Sequence, residues 1–285
     1  MNRDIIRQFL NIVALVATQV VNYLSNALPL NGQTPAEISN RLPTLFVPAN
    51  YVFSIWGVIY SFLIGFVIYQ ALPSQRQNPL LRKIGYWFVA SCLANITWIF
   101  LFHWNQFGFS ILAMLALLVS LIAIYTRIGV GLTPVKGASR WLIHTPFSIY
   151  LGWITVATVA NITYWLTFIQ WDGFGISQPT WAILMLVIAT GITLTLIVTR
   201  RDVAYSAVII WALIGIVVKQ AATPAVATTR RCDGRSCRGS AGGAVPRQPQ
   251  SEHTDQHSRA GLNYRVFGPH LLPTGIKPKG EGMRA

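Results

Sequence analysis

Long apolar runs without charge are the feature that most constrains this chain. The longest extends from Ile84 to Thr126 and contains no Asp, Glu, Lys or Arg. Over the whole chain only 11% of residues are charged and 53% are hydrophobic, whereas soluble domains carry roughly 25% charged residues. Because a helix needs about 20 apolar residues to cross a bilayer, we expect a membrane protein that crosses the bilayer several times.

The apolar runs divide into seven predicted transmembrane helices. The stretch "HWNQFG", from His103 to Gly108, provides a turn between the third and the fourth. The predicted fold class is therefore all-α, a polytopic transmembrane helix bundle. The predicted spans are residues 8–28, 49–72, 84–103, 107–127, 142–167, 178–199 and 203–221.

Basic residues are concentrated in every second connection between the predicted spans. Because cytoplasmic loops carry an excess of Lys and Arg, this alternation predicts a multi-pass protein of the cell (inner) membrane with a cytoplasmic N-terminus. The net charge of +14 is distributed over these loops and the C-terminal tail, so it does not indicate nucleic-acid binding. The basic loop residues are Arg3 and Arg7, then Arg76, Arg82 and Lys83, then Arg127, Lys136 and Arg140, and finally Arg200 and Arg201.

The composition changes abruptly at residue 230. Residues 230–285 carry 10 Lys or Arg against 4 Asp or Glu and have almost no apolar periodicity, which predicts a basic disordered tail. The change falls where an apolar segment is about to continue, so one explanation is a frameshift that removed a final apolar segment. An authentic disordered tail is the other. A neighbouring reading frame without an apolar continuation would exclude the frameshift.

No motif of a soluble enzyme is present in the sequence. We find no P-loop, G-x-S-x-G, H-E-x-x-H or C-x-x-C pattern, and the three Cys are too few and scattered for a disulfide framework. The predicted spans contain no Asp or Glu, although proton-coupled transporters usually need buried carboxylates. We therefore expect no catalytic residue, no metal site and no required cofactor.

Four predicted helices carry carboxamides or aromatic residues at spacings of three and four. Such residues share one helix face, and polar ones are costly if they face lipid. In one interpretation the amides join helices and the rings pack between them. In the other the faces line a cavity for a flat apolar ligand, which their recurrence favours. The faces are Gln19, Asn22 and Asn26; Phe53, Trp56 and Tyr60; Asn95, Trp98 and Phe102; and Trp153, Ala157 and Asn161.

The fifth predicted helix resembles the TspO/MBR family, the tryptophan-rich sensory or translocator proteins. Tyr150, Leu151 and Trp153 match the family's Tyr-Leu-x-Trp, followed by Ala157 four residues and Asn161 eight residues after the Trp. The third helix is similar to the family's in its Asn, Trp and Phe, and "VPANYVFSIWGVIY" looks like a variant of the family's second helix.

The resemblance covers roughly residues 8–170 and implies a five-helix core, residues 1–170, that binds porphyrins or other flat apolar ligands, including sterols, and forms a homodimer. Residues 171–229 would then add two further helices. The family's lid over the pocket would be the loop from Pro29 to Ala49, in which Arg41 is a candidate partner for a ligand carboxylate. The helix faces and the resemblance together give the predicted ligand-binding residues Phe53, Trp56, Tyr60, Asn95, Trp98, Phe102, Tyr150, Trp153, Ala157 and Asn161.

These features predict an integral membrane protein that binds a tetrapyrrole-like or other flat hydrophobic ligand and acts as a sensor, regulator or translocator. A small-solute transporter, with the last two helices completing its bundle, is an alternative. A third class is a light-dependent porphyrin-degrading enzyme, as is proposed for some members of the family that the sequence resembles. In that case Trp153 or Trp98 would form the radical.

Overall fold

The chain folds into a bundle of helices joined by short connections. The computed structural model describes residues 3–28 and 30–221, and this part contains nine α-helices and no strand, which confirms the all-α bundle. The predicted tail, residues 230–285, lies outside the described residues. The helices are α1 (Arg3–Ala27), α2 (Pro35–Asn40), α3 (Ile55–Ala71), α4 (Pro79–Ile84), α5 (Trp87–His103), α6 (Phe107–Ile128), α7 (Thr145–Phe168), α8 (Gln178–Arg200) and α9 (Val203–Ala221).

All seven predicted spans are helical, and within the described residues six helices are long and apolar enough to cross a membrane. The remaining predicted span, the third in the chain, is α5, which is apolar but has only 17 residues. At 1.5 Å per residue its length is about 25 Å. It nevertheless connects the two ends of the bundle. At its start Arg127 lies 5.3 Å from the ring centre of Trp87, and at its end the carbonyl of His103 accepts a hydrogen bond from Asn31.

A π-helical turn, Arg140–His144, precedes α7, and Pro146 lies in the first turn of α7. A proline has no backbone N–H and cannot complete the hydrogen bond to the preceding turn. Just before it, the carbonyl oxygen of Arg140 accepts two hydrogen bonds from Thr145, one from the backbone N–H and one from the hydroxyl at 3.0 Å. Thr145 therefore holds the wide turn before the proline through both its backbone and its side chain.

The start of α1, the α3–α4 connection and the α6–α7 connection lie at the same end of the bundle, as two hydrogen bonds show. Arg7 donates from Nη2 to the carbonyl oxygen of Arg76 at 3.1 Å, which joins α1 to the α3–α4 connection. The hydroxyls of Tyr69 and Ser139 lie 3.4 Å apart and join α3 to the α6–α7 connection. The chain therefore returns to this end after every second long helix.

The turn between α8 and α9 completes this end, because Arg200 donates from Nη1 to the carbonyl oxygen of Val130 at 3.3 Å. We call it the basic end: the start of α1, the α3–α5 and α6–α7 connections and the α8–α9 turn. Among the described residues every Lys and Arg except Arg41 and Lys219 lies here. The opposite end, which carries the segment between α1 and α3, is the lid end.

The last helix, α9, packs into the bundle through two close contacts at glycines. A Cβ at Gly152 of α7 would lie 3.0 Å from the carbonyl oxygen of Tyr205, and one at Gly215 of α9 would overlap a methyl group of Val52. Ala212, on the same helix, is fully buried. Because small residues let helix backbones approach closely in membranes, these two glycines determine how deeply α9 packs.

We expect Gly215→Ala to destabilise the protein, because the added methyl would meet Val52, which is fully buried and β-branched. Overpacking of this kind costs about 1–3 kcal/mol. The measurement is the thermal unfolding midpoint of the full chain in detergent, which should fall.

The matched control is Gly191→Ala in α8, where an added Cβ would meet no atom within 4 Å. Since Gly in a helix interior is about 1 kcal/mol less favourable than Ala, its midpoint should stay level or rise. Equal midpoints for the two variants would contradict the close contact assigned to Gly215.

Candidate functional site

A cavity of about 570 Å³ lies at the lid end, between α1, α3, α5 and α7. Ligand pockets are typically about 300–1,000 Å³, so its size suits a small-molecule ligand. Pro35, Ala36 and Ser39 of α2 and the segment Val47–Pro48 cover it. Tyr23 of α1 lines it and is 71% exposed, so the cavity reaches the protein surface along α1.

The structure brings most of the predicted ligand-binding residues to this cavity. Asn95 and Tyr150 do not line it and are buried among the helices behind it. The three amides of α1, Gln19, Asn22 and Asn26, also line it. Binding of a ligand by these residues stays a prediction. The predicted residues that line the cavity are Phe53, Trp56, Tyr60, Trp98, Phe102, Trp153, Ala157 and Asn161.

Aromatic rings form the cavity wall on α3 and α7. Trp153, which is 2% exposed, meets Phe53 and Trp56 edge to face, with ring centres 5.9 Å and 6.0 Å apart. Trp56 in turn stacks on Tyr60 at 5.3 Å. These are favourable distances for aromatic pairs. The rings fix one another and give the wall a rigid, largely apolar surface.

Side-chain hydrogen bonds that start at Asn22, which lines the cavity, connect three helices. Asn22 of α1 donates from Nδ2 to Oδ1 of Asn95 at 2.8 Å. Asn95 of α5 then donates to the hydroxyl of Tyr150 on α7 at 3.2 Å. Asn95 is fully buried, and a buried amide needs such partners. Asn95 and Tyr150 therefore hold the walls of the cavity together.

The amide of Asn161, eleven residues after Tyr150 on α7, joins α7 to α6. Its Nδ2 donates to the hydroxyl of Ser110 on α6 at 3.1 Å. Asn95 and Asn161 therefore fit the first interpretation, in which the amides join helices. The aromatic rings of α3, α5 and α7 fit the second interpretation, in which the helix faces line a cavity.

Four buried polar atoms on cavity-lining residues have no hydrogen-bond partner within the described part of the chain. They are the hydroxyls of Tyr60 and Tyr164 and the indole Nε1 atoms of Trp98 and Trp153. A buried donor without a partner costs about 1–3 kcal/mol. These N–H and O–H groups offer donors to a ligand that carries acceptor oxygens.

The lid segment, residues 30–49, is anchored to the α5–α6 turn. Ile38 of α2 is fully buried against a cluster that contains Phe102 and Tyr164. Asn31 donates from Nδ2 to the carbonyl oxygen of His103 at 2.9 Å. The lid is therefore closed over the cavity by both apolar and polar contacts.

Two side chains at the start and end of α2 hold it in place. The carboxylate of Glu37 accepts a hydrogen bond from the Thr34 backbone N–H at 2.7 Å, and this bond, with the Thr34 side chain, lowers the pKa of Glu37. Arg41 donates to Oδ1 of Asn105 at 3.0 Å and also to Gln33. Arg41 is exposed and fastens the lid to the α5–α6 turn, and its pairing with a ligand carboxylate stays a prediction.

The last helix, α9, holds the second half of the lid segment. Gln220 donates from Nε2 to the carbonyl oxygen of Leu45 at 2.8 Å, and the N–H of Ala49 donates to the carbonyl oxygen of Gly215 at 3.1 Å. The sequence gives no signal for these bonds, because their acceptors are backbone carbonyls that any residue supplies.

Sequence reasoning missed part of the cavity lining on α7. Val156, Ala160 and Tyr164 also line it. Ala160 and Tyr164 lie three and seven residues after Ala157, so they continue the same helix face. Extending the face by one turn would have found Tyr164.

The geometry defines a polytopic α-helical membrane protein with a lidded aromatic cavity. The family model for TSPO-like proteins matches residues 8–231. The chain therefore belongs to the TSPO-like protein family, which confirms the resemblance. The matched residues also include α8 and α9. Comparison with curated proteins and with solved structures gives no match.

We expect Asn95→Leu to destabilise the protein, because it would leave Asn22 and Tyr150 without their shared partner. An unsatisfied buried polar group costs about 1–3 kcal/mol. Thermal unfolding of the full chain in detergent measures the loss.

Asn26→Leu is the matched control on α1, since the Asn26 amide is exposed and, among the described residues, bonds only within its own helix. It should lower the unfolding midpoint little. If Asn95→Leu were as stable as Asn26→Leu, the connection between α1, α5 and α7 would not carry the stability assigned to it.

Proposed function

We propose that the lidded cavity binds a flat hydrophobic ligand of the tetrapyrrole class, and that the protein acts as a membrane sensor, regulator or translocator for that ligand. The observation that carries this proposal is that one cavity of about 570 Å³ combines aromatic walls with four donors that have no partner in the described part of the chain. Stacking surfaces suit the face of a macrocycle, and the donors suit oxygen atoms at its edge.

Two further features of the cavity support an anionic, ring-shaped ligand. Ala157 lies between Trp153 and Asn161 on the helix face, and its small side chain leaves room for a ring against α7. Within the described residues no Asp or Glu lines the cavity, so carboxylates on the ligand would meet no like charge there. The homodimer that the resemblance implies stays a prediction.

Ala157→Phe tests the pocket directly. The larger side chain would occupy the cavity, so we expect it to weaken protoporphyrin binding about tenfold or more. The measurement is quenching of tryptophan fluorescence on titration with protoporphyrin.

The matched control is Ala116→Phe, because Ala116 of α6 is exposed and does not line the cavity. This variant should bind as the unchanged protein does. Absence of quenching in the unchanged protein, or equal binding by Ala157→Phe, would show that the cavity is not the porphyrin site.

The same titration, repeated under illumination, tests the enzymatic alternative. Trp98 and Trp153 both line the cavity, so a bound porphyrin would contact the two candidate residues. Loss of porphyrin absorbance in light but not in darkness would indicate degradation. Stable absorbance would indicate binding alone. Gradient-dependent uptake of a small solute by proteoliposomes would instead favour the transporter.

We also propose that the basic end faces the cytoplasm of a cell membrane, because basic residues accumulate on the cytoplasmic side and nearly all those described lie at this end. A cysteine placed at Asp172, at the lid end, should react with a membrane-impermeant maleimide on intact cells.

A cysteine placed at Lys136, at the basic end, should react only after lysis. Both variants need Cys232 and Cys237 replaced by Ser, while Cys92 is buried. The reverse labelling pattern would invert the proposed orientation.

A further inference from the structure

A second cavity lies at the basic end and takes no part in the aromatic site. Its volume is about 520 Å³. The α6–α7 connection, the start of α7 and the α8–α9 turn form its walls. We call it the basic pocket. Its charged and imidazole-bearing residues are Arg140, His144, Arg200, Arg201 and Asp202.

Three arginines and one aspartate line the basic pocket, and the carboxylate of the aspartate already accepts hydrogen bonds. Asp202 is 7% exposed. Its Oδ2 accepts from the hydroxyl of Tyr125 at 2.8 Å, and its Oδ1 accepts from the N–H of Tyr205 at 3.1 Å. The balance of charge at the pocket therefore favours an anion.

The three arginines differ in how firmly they are held. Arg200 is half-buried, donates to the carbonyl of Val130 and lies 5.8 Å from the ring centre of Tyr125. Arg140 and Arg201 are exposed at the rim. One positive charge is thus fixed at the wall, while two others are accessible to an incoming ligand.

His144 supplies an independent sign of a ligand. It lines the pocket, it is only 5% exposed, and its Nε2 has no hydrogen-bond partner within the described residues. Buried polar atoms normally have a partner. An oxygen of a bound anion would provide one.

The backbone holds the pocket walls in contact without help from a ligand. Gly131 has a φ of +76°, and a Cβ there would overlap the carbonyl oxygen of Arg200. The α6–α7 connection therefore lies directly against the end of α8. This contact brings the arginines of the α8–α9 turn to the α6–α7 connection.

We propose that the basic pocket binds a phosphate-bearing anion, either the headgroup of an anionic phospholipid or free phosphate. Arginine matches phosphate oxygens with two parallel N–H groups, and basic pockets between transmembrane helices bind lipid headgroups. Leu132, Trp141 and Val203 line the same pocket and are at least 60% exposed. These apolar side chains give acyl chains a surface beside the charges.

The test is equilibrium binding of short-chain phosphatidylglycerol to the full chain in a nonionic detergent. Short-chain phosphatidylcholine serves as the neutral comparison, and inorganic phosphate serves as the competitor. We expect the anionic lipid to bind at least about tenfold more tightly than phosphatidylcholine, since charge-assisted bonds are the stronger ones. Competition by millimolar phosphate would identify free phosphate as a ligand, and its failure to compete would identify the lipid.

The double variant Arg140→Gln/Arg201→Gln should weaken binding about tenfold or more. Both side chains are exposed, so the fold should survive, and Arg140→Gln alone provides a second, milder test. The control Lys83→Gln/Lys136→Gln removes the same charge from the basic end outside the pocket and should change binding less than about twofold.

Three results would overturn the proposal. The first is that neither the anionic lipid nor phosphate binds. The second is that phosphatidylcholine binds as well as phosphatidylglycerol, which would indicate an apolar groove. The third is that the two double variants weaken binding equally, which would indicate attraction to the whole basic end and not to the pocket.

Discussion

The structure depends on the burial of α7 among the other helices. The segment that contains it is the most buried of the six long apolar helices, and in an apolar surrounding each of its polar groups needs a partner from a neighbour. Asn161 bonds to α6, Tyr150 bonds to α5, and Gly152 admits the backbone of α9. Trp153 packs against α3. One helix thus fixes the positions of four others, and it forms one wall of the aromatic cavity, which lies between α1, α3, α5 and α7.

The two helices that follow the aromatic core take part in its architecture. The α9 helix bonds to the lid segment at Leu45 and Ala49, so the closure over the cavity is coupled to a helix more than 150 residues further along the chain. The α8–α9 turn forms one wall of the basic pocket. The family match over residues 8–231 includes both helices. They connect the lid end with the basic end.

The two ends of the bundle present different chemistry. The lid end encloses aromatic rings and neutral donors that lack a partner among the residues described. The basic end carries nearly all the positive charge of the described residues and a pocket where arginines outnumber carboxylates. This separation has two causes. The basic residues lie in every second connection of the sequence, and each pair of long helices returns the chain to the same end, so these connections meet there.

The sequence by itself determined the seven apolar helices and the residue types of the cavity, whereas the short helices α2 and α4 were not predicted. Apolar length sets a span, and spacings of three and four put Phe53, Trp56 and Tyr60 on one helix face, so these features are local. Which faces meet was decided only by tertiary structure. Asn95 carries the same signal as Trp98, yet packing turned it to a neighbouring helix and made it a connection between walls. The lid contacts of α9 and the basic pocket join residues far apart in the chain through backbone carbonyls and close glycine contacts, and no local pattern encodes those.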